Sequence, residues 1–260
     1  MGTLDGKTAA IFGVANHNSI AWAIAQKLAA EGARLAFTYQ ERMEKNVRKL
    51  TEDIPGAVVL PCDVQNDAEL DRAFEGIGLA FDGGLDILIH SVAYAPTDDL
   101  KGRVSKVSRA GFTTALDVSA YSLMAMAARA EPLMQARGGG SVVAMTYLGS
   151  ERVVPGYNLM GIAKAALETA IEYLAWDLGP QNIRVNGISA GPLRTLSARG
   201  VGNINDMFTL VEQVAPLRRN IEQGDVGDIA TFLCSPAAKT LTGNILYVDN
   251  GFHIMGLGSM

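Results

Sequence analysis

The sequence predicts an α/β protein: a doubly wound, parallel, seven-stranded sheet with helices on both faces. Three observations carry that expectation. Seven short apolar runs bounded by turn residues recur along the 260 residues. Each run is apolar nearly throughout, the pattern of a strand covered on both faces. Longer stretches with helical spacing of apolar residues separate the runs, and such alternation implies right-handed crossovers into one parallel sheet.

In chain order the strand candidates are "TAAIFG" from Thr8, "ARLAFTY" from Ala33, "AVVLPCD" from Ala57, "LDILIHS" from Leu85, "GSVVAMT" from Gly140, "IRVNGIS" from Ile183 and "NILYVDN" from Asn244. The helical stretch "SIAWAIAQKLAAEG" opens on Ser19, a capping residue, and stops at Gly32, suited to a left-handed helix end. "DAELDRAFEGIG" follows the third strand and "GIAKAALETAIEYLAWDLG" the fifth. No linker and no internal repeat interrupt the series, so residues 1–260 are expected to form one domain.

Composition narrows the function classes. The chain is 48% hydrophobic and 19% charged, with 28 glycines and 9 prolines, which argues for a packed globule rather than disorder. A net charge of -5 with no block of Lys and Arg speaks against nucleic acid as a partner. Cys62 and Cys234 match no metal-ligand spacing, so they are read as reduced core thiols and no metal is expected. No run is long enough to cross a bilayer, and the first residues lack the pattern of a signal peptide, so a cytoplasmic protein is expected.

Ligands of such sheets bind beyond the C-terminal ends of the strands. After the first strand, "GVANHNSIAWAIA" lacks the G-x-G-x-x-G fingerprint. Gly13 still permits a tight turn there, while Ser19 and Ile20 open a helix whose N-terminus favours a phosphate. The second strand ends in Gln40, a neutral residue able to bond a ribose hydroxyl. That favours NADH, and Arg42 two residues on leaves NADPH possible. Asp63 and Val64 after the third strand suit an adenine amino group and ring face, unless Asp63 caps the next helix. After the fourth strand, the small residues Ser91, Ala93 and Ala95 leave room for a flat ligand on the backbone, unless the loop is simply tightly packed. Past Gly191 and Pro192, residues 193–212 lose clear periodicity and are expected to form a lid. There Val201, Ile204 and Met207, with Leu196 and Phe208, would cover an apolar substrate.

The segment from Thr146 to Glu168 holds Tyr147, Tyr157 and Lys164. A reducing Tyr–Lys pair normally has three intervening residues. Here six separate Tyr157 from Lys164, and Met160 occupies the position that the short spacing would give to tyrosine. Taken with "GVANHNSIA", "CDV", "HSVAYAP", "MGIAKAALE", "AGPLRTL" and "VDNGF", in order at strand ends, the chain resembles the short-chain dehydrogenase/reductase superfamily. Within it, the resemblance is to the enoyl-acyl-carrier-protein reductases of the FabI type, from about Leu4 to Phe252.

The resemblance implies a Rossmann-type fold and reduction of an enoyl thioester by NADH, during fatty-acid elongation on acyl carrier protein. Tyr157 then matches the reactive phenol, and Lys164 the residue that holds the nicotinamide ribose. Tyr147 matches a second tyrosine, either a proton donor or a wall of the acyl pocket. Cofactor contacts carry over to Gly13, Ser19, Ile20, Gln40, Asp63, Val64, Ser91, Val92, Ala93, Lys164, Leu193 and Thr195. Substrate contacts carry over to Ala95, Tyr147, Tyr157, Met160, Val201, Ile204 and Met207. A homotetramer is implied, with Arg194, Arg199, Arg218 and Arg219 as candidates for docking the acidic carrier. The chain departs from the family at "NHN", a loop often more basic, and at Asn250, where a second glycine is common. The asparagine of the ketone-reducing branch is absent; "TTALDVSAYSL" offers Asp117 as its nearest polar residue. A ketone or alcohol dehydrogenase and a non-catalytic dinucleotide sensor are the rival readings.

Overall fold

The computed structural model describes residues 2–195 and 204–256. Its strands are β1 (Thr8–Phe12), β2 (Arg34–Tyr39), β3 (Val58–Pro61), β4 (Ile87–His90), β5 (Gly140–Thr146), β6 (Ile183–Ala190) and β7 (Ile245–Val248). They form one sheet in the order β3-β2-β1-β4-β5-β6-β7, parallel at every pairing. The helices are α1 (Ile20–Ala30), α2 (Glu44–Thr51), α3 (Asp67–Ala80), α4 (Thr97–Leu100), α5 (Arg109–Leu116), α6 (Ser122–Gln135), α7 (Asn158–Leu178), α8 (Ile204–Val214) and α9 (Gln223–Cys234).

Alternate strand residues feed two separate core layers, as the pleat requires. Ala10, Phe12, Leu88, Val142 and Ala144 join Phe74 and Ile77 of α3, Met126 of α6 and Ile171 of α7. Ala9, Ile11, Ile87, Ile89 and Val143 join Ile24 and Leu28 of α1 with Val226 and Leu233 of α9. Each such side chain, fully buried, contributes about 1.5–3 kcal/mol through lost apolar exposure. The two edge strands differ from expectation: β3 and β7 are only half-buried along most of their length. An edge strand has one neighbour, and Pro61 is tolerated in β3 because the free side needs no amide donor.

The strand order reverses between β1 and β4, so the crossovers diverge and leave a crevice beyond the strand ends. Phe12 pairs with His90 at its lip. Gly13 then turns away at a φ of 108°, and a Cβ there would overlap the carbonyl oxygen of Ser91. Only glycine meets both demands. Gly13→Ala should therefore cost about 3 kcal/mol from backbone strain and overpacking. A lowered melting temperature together with weakened NADH binding is the expected outcome, measured by thermal unfolding and cofactor titration.

Candidate active site

One end of the crevice is built for an elongated anionic ligand. Ser19 is the N-cap of α1 by backbone, but the expected side-chain cap is absent. Its hydroxyl oxygen instead accepts from the N–H groups of Ala15 (3.0 Å) and Asn16 (3.1 Å). Two donors into Oγ fix the preceding loop and leave the hydroxyl proton to point elsewhere. The helical hydrogen bonds of α1 begin at Trp22, which donates to the Ser19 carbonyl at 3.0 Å; the N–H groups of Ile20 and Ala21 before it, with the helix dipole, favour a phosphate. The residues present thus fit a dinucleotide: a glycine cradle at residue 13, a helix N-terminus and a hydroxyl beside it.

Gln40 and Asp63 meet across the ends of β2 and β3, with Nε2 of Gln40 3.5 Å from Oδ2 of Asp63. Arg42 donates to Oε1 of Gln40 at 2.9 Å, so a guanidinium stands beside the end of β2. Asp63 does not cap α3. Asn66 does, accepting from the N–H groups of Ala68 and Glu69. Val64 is buried in the core layer. Ser91, Val92 and Ala93 are half-buried along the β4 exit, and Ala95 is buried beneath Tyr157 with Leu159 and Met160.

Beyond β5 the chain makes a short turn and enters α7. Tyr147 and Tyr157 meet edge to face, ring centroids 4.8 Å apart. Gly149 makes this possible, because a Cβ there would overlap the Tyr157 ring. Tyr157 stands at the N-cap position of α7, and Asn158 follows at a φ of 36°. The Asn158 amide donates to the carbonyls of Leu100 (2.9 Å) and Gly102 (2.8 Å), tying the segment after β4 to the first turn of α7. Burial pushes the Tyr147 phenol up to about 12 and pushes Tyr157 higher still, with Tyr147 and Glu168 adding to the latter.

Lys164 is 5% exposed, and its ammonium donates to the carbonyl of Met145 at 2.7 Å. Burial pulls it down to about 8, opposed by Glu168 one turn further along α7. Glu168 accepts from the Thr146 hydroxyl at 2.5 Å, and burial raises its carboxyl above the usual range. His90 is fully buried and held near 3 by desolvation and by Lys164. Ser122 donates to the Val118 carbonyl at 2.7 Å, so its oxygen receives the proton of His90 Nε2, also at 2.7 Å. That assigns the Nε2–H tautomer to a neutral imidazole.

The sequence reading missed the segment that borders Met160. Asp117 to Tyr121 form a turn of π-helix between α5 and α6. Asp117 points outward to Gln65 (2.9 Å) rather than into the site. Ser119 faces inward, accepting from the N–H of Tyr94 at 3.1 Å and lying 3.9 Å from the Met160 sulfur. No periodicity signal marks a π-turn, which adds a single residue to a helix. Met160 itself is buried core beneath Tyr157.

Past β6, Leu193 is buried and Thr195 half-buried. Arg194 is exposed, stacks on the buried Phe208 ring at 4.4 Å and reaches Asn205. Met207 is half-buried on α8. The expected lid thus includes a regular helix that runs on to Val214, with Phe208, Val211 and Val214 buried. Leu196, Arg199 and Val201 lie outside the described residues, as does the side chain of Ile204.

The family described as enoyl-(acyl carrier protein) reductase matches residues 13–253. The chain belongs to that family. It is 52% identical to the NADH-named FabI reductase of Nostoc sp., over 98% of this chain and 99% of that one. It is 49% identical to the NADPH-named FabI of Staphylococcus aureus, over 96% and 98%. The structure of the Bacillus cereus reductase with NADP+ and an indole naphthyridinone superimposes with a TM-score of 0.96 at 51% identity, covering 99% of this chain and all of that one. Enoyl-acyl-carrier-protein reductases therefore share this chain's fold along its whole length, including the doubly wound sheet expected from its sequence.

Because Gly149 seats the Tyr157 ring, Gly149→Ala should displace the phenol while leaving the cofactor crevice intact. A misplacement of about 1 Å costs on the order of 100-fold in rate. Steady-state kinetics should show that fall in kcat with NADH affinity nearly unchanged.

Proposed function

We infer that this chain reduces the trans-2 double bond of an enoyl thioester carried on acyl carrier protein, with NADH as reductant, in fatty-acid elongation. The observation that carries the reading is geometric: the Tyr157 ring is seated over Gly149 and against Tyr147 at the N-terminus of α7, with the buried Lys164 two turns along the same helix. NADH, when bound, supplies a hydride to the carbon beta to the thioester carbonyl.

The remaining chemistry belongs to the chain. As the double bond is reduced, negative charge develops on the thioester oxygen, and Tyr157 donates a hydrogen bond to it. A fixed donor in a site that excludes water stabilises that charge without reorganisation. A raised pKa suits this task, since the phenol must keep its proton. A ketone reductase instead needs a tyrosine whose proton is readily given up. Lys164 keeps a positive field near the oxygen and offers its remaining N–H groups to the ribose hydroxyls of the cofactor. Tyr147 packs on Tyr157, which has Ala95 and Met160 against it, and we assign this group to the acyl pocket; Met207, Val201 and Ile204 are assigned there from the resemblance alone.

The residues assigned to the cofactor are Gly13, Ser19, Ile20, Gln40, Asp63, Val64, Ser91, Val92, Ala93, Lys164, Leu193 and Thr195. We assign residues 193–212 as the cover over the substrate and the whole chain as one catalytic domain. Arg194, Arg218 and Arg219 are exposed and suited to the acidic carrier, with Arg199 assigned alongside them from sequence. A homotetramer is supported by apolar side chains on the outer face of α5–α7: Phe112, Met124, Ile162, Tyr173 (71% exposed) and Trp176 (79%). Among the described residues no helix is long and apolar enough to cross a membrane, and we place the enzyme in the cytoplasm.

NADH consumption with crotonyl and with acetoacetyl thioester separates this reading from a ketone reductase: only the crotonyl compound should be reduced rapidly. Tyr157→Phe should lower kcat at least about 100-fold, the scale of a lost oxyanion donor, with little change in NADH affinity. An unchanged rate would remove the catalytic assignment. Arg42 beside Gln40 predicts measurable NADPH use. Arg42→Ala should lower kcat/KM for NADPH roughly 10- to 100-fold, the scale of one charge-assisted hydrogen bond, with a much smaller effect on NADH.

A further inference from the structure

Lys164 poses a problem that its own hydrogen bond does not solve. A buried ammonium loses its hydration, and one carbonyl acceptor at 2.7 Å replaces only part of it. His90, the titratable group of β4 that acts on this lysine, is neutral and donates its only proton to Ser122. Glu168 is the charged group that acts on Lys164 from α7. Its position is not accidental. Lys164 and Glu168 are four residues apart, on one stripe of the helix. Lys164 grips the carbonyl of Met145, and Glu168 grips the hydroxyl of the next residue, Thr146. The two side chains therefore hold the end of β5 side by side, and a short hydrogen bond fixes the carboxylate in place.

We propose that Glu168 is a positioning residue for the reaction: its tethered carboxylate is the counter-charge that keeps the Lys164 amine protonated and anchored at the end of β5. The proposal rests on the enoyl-reductase reading only for what Lys164 then does. The groups that face Glu168 are Lys164 on α7, Tyr157 at its start, Thr146, Ser150 and Glu151 in the turn before it, and Tyr247 on β7. Glu151 is a like charge, and it is itself bonded by the Tyr247 hydroxyl. The imidazole of His90, on β4, also acts on Lys164.

The sign of the pH dependence follows. Lys164 is charged below about 8, and Glu168 is charged above its own raised value. Between the two, the pair is fully ionised. Removing the carboxylate charge lowers the Lys164 pKa further, so the protonated amine is lost at lower pH. A neighbouring opposite charge of this kind moves a pKa by about one unit or more.

The test compares wild type with Glu168→Gln and Glu168→Asp. Glutamine retains an oxygen for Thr146 but no charge; aspartate retains the charge. NADH affinity is measured by fluorescence without substrate, from about pH 6 to about pH 9, beside kcat/KM for crotonyl thioester over the same range. In Glu168→Gln the basic limb of both profiles should fall about one pH unit earlier than in wild type, and aspartate should restore most of the shift. Glu168→Met, neutral and of similar length, repeats the test if glutamine is not tolerated; whichever folds must show the shift. Superimposable profiles, or an equal loss at every pH in the Gln and Asp variants, would overturn the proposal. A wild type that binds NADH but leaves crotonyl thioester untouched would overturn the enoyl-reductase reading, while the NADH titration still decides the counter-charge.

Discussion

Placing a cation where water cannot follow is the constraint around which this site is organised. Lys164 lies beneath the ends of β4 and β5, and every polar group near it makes sense as a response. The Met145 carbonyl points at the ammonium, and Glu168 stands one turn away. His90 stays uncharged because a second positive group there would be doubly penalised, by desolvation and by repulsion. Through the Ser122 hydroxyl the same imidazole bonds the π-turn that carries Ser119. The lysine thus connects the sheet, the long helix and the π-turn.

The phenol obeys a different rule. Tyr157 lies outside the regular helix, at its N-cap, so its ring can lean back over Gly149 and against Tyr147. Four residues before Lys164, the helix carries the buried Met160. A tyrosine there would project from within the first turns of α7, a different direction of approach. The longer interval between phenol and ammonium is therefore a change of where the donor stands relative to the strand ends. Sulfur and apolar carbon fill the vacated place, a use to which the flexible methionine chain is well suited.

All seven strands were legible, because buried parallel strands leave continuous apolar runs in the chain. The places of Gly13 and Gln40 at strand ends could be read as well, and the structure sets Tyr157 at the start of the long helix with Lys164 within it. What could not be read depends on contacts between distant segments. Ser19 looks like a helix cap in sequence, yet its oxygen is committed to the loop at Ala15 and Asn16. His90 looks like the last residue of an apolar strand, and its importance lies in Ser122, far along the chain. Glu168 sits in an ordinary helical stretch, and its weight comes from Thr146 on a neighbouring strand. Ser119 needed the π-turn to bring it inward, and a single added residue disturbs no pattern long enough to notice.

Asn158 makes the segment after β4 and the Tyr157 ring mechanically one piece. Its backbone adopts an uncommon conformation directly beside Tyr157, while its amide bridges two carbonyls at Leu100 and Gly102. A force that pries that surface segment outward is transmitted to the first turn of α7 before it is felt elsewhere. The segment after β4 and the Tyr157 ring consequently share a latch, so a shift of either reaches the other through a single side chain.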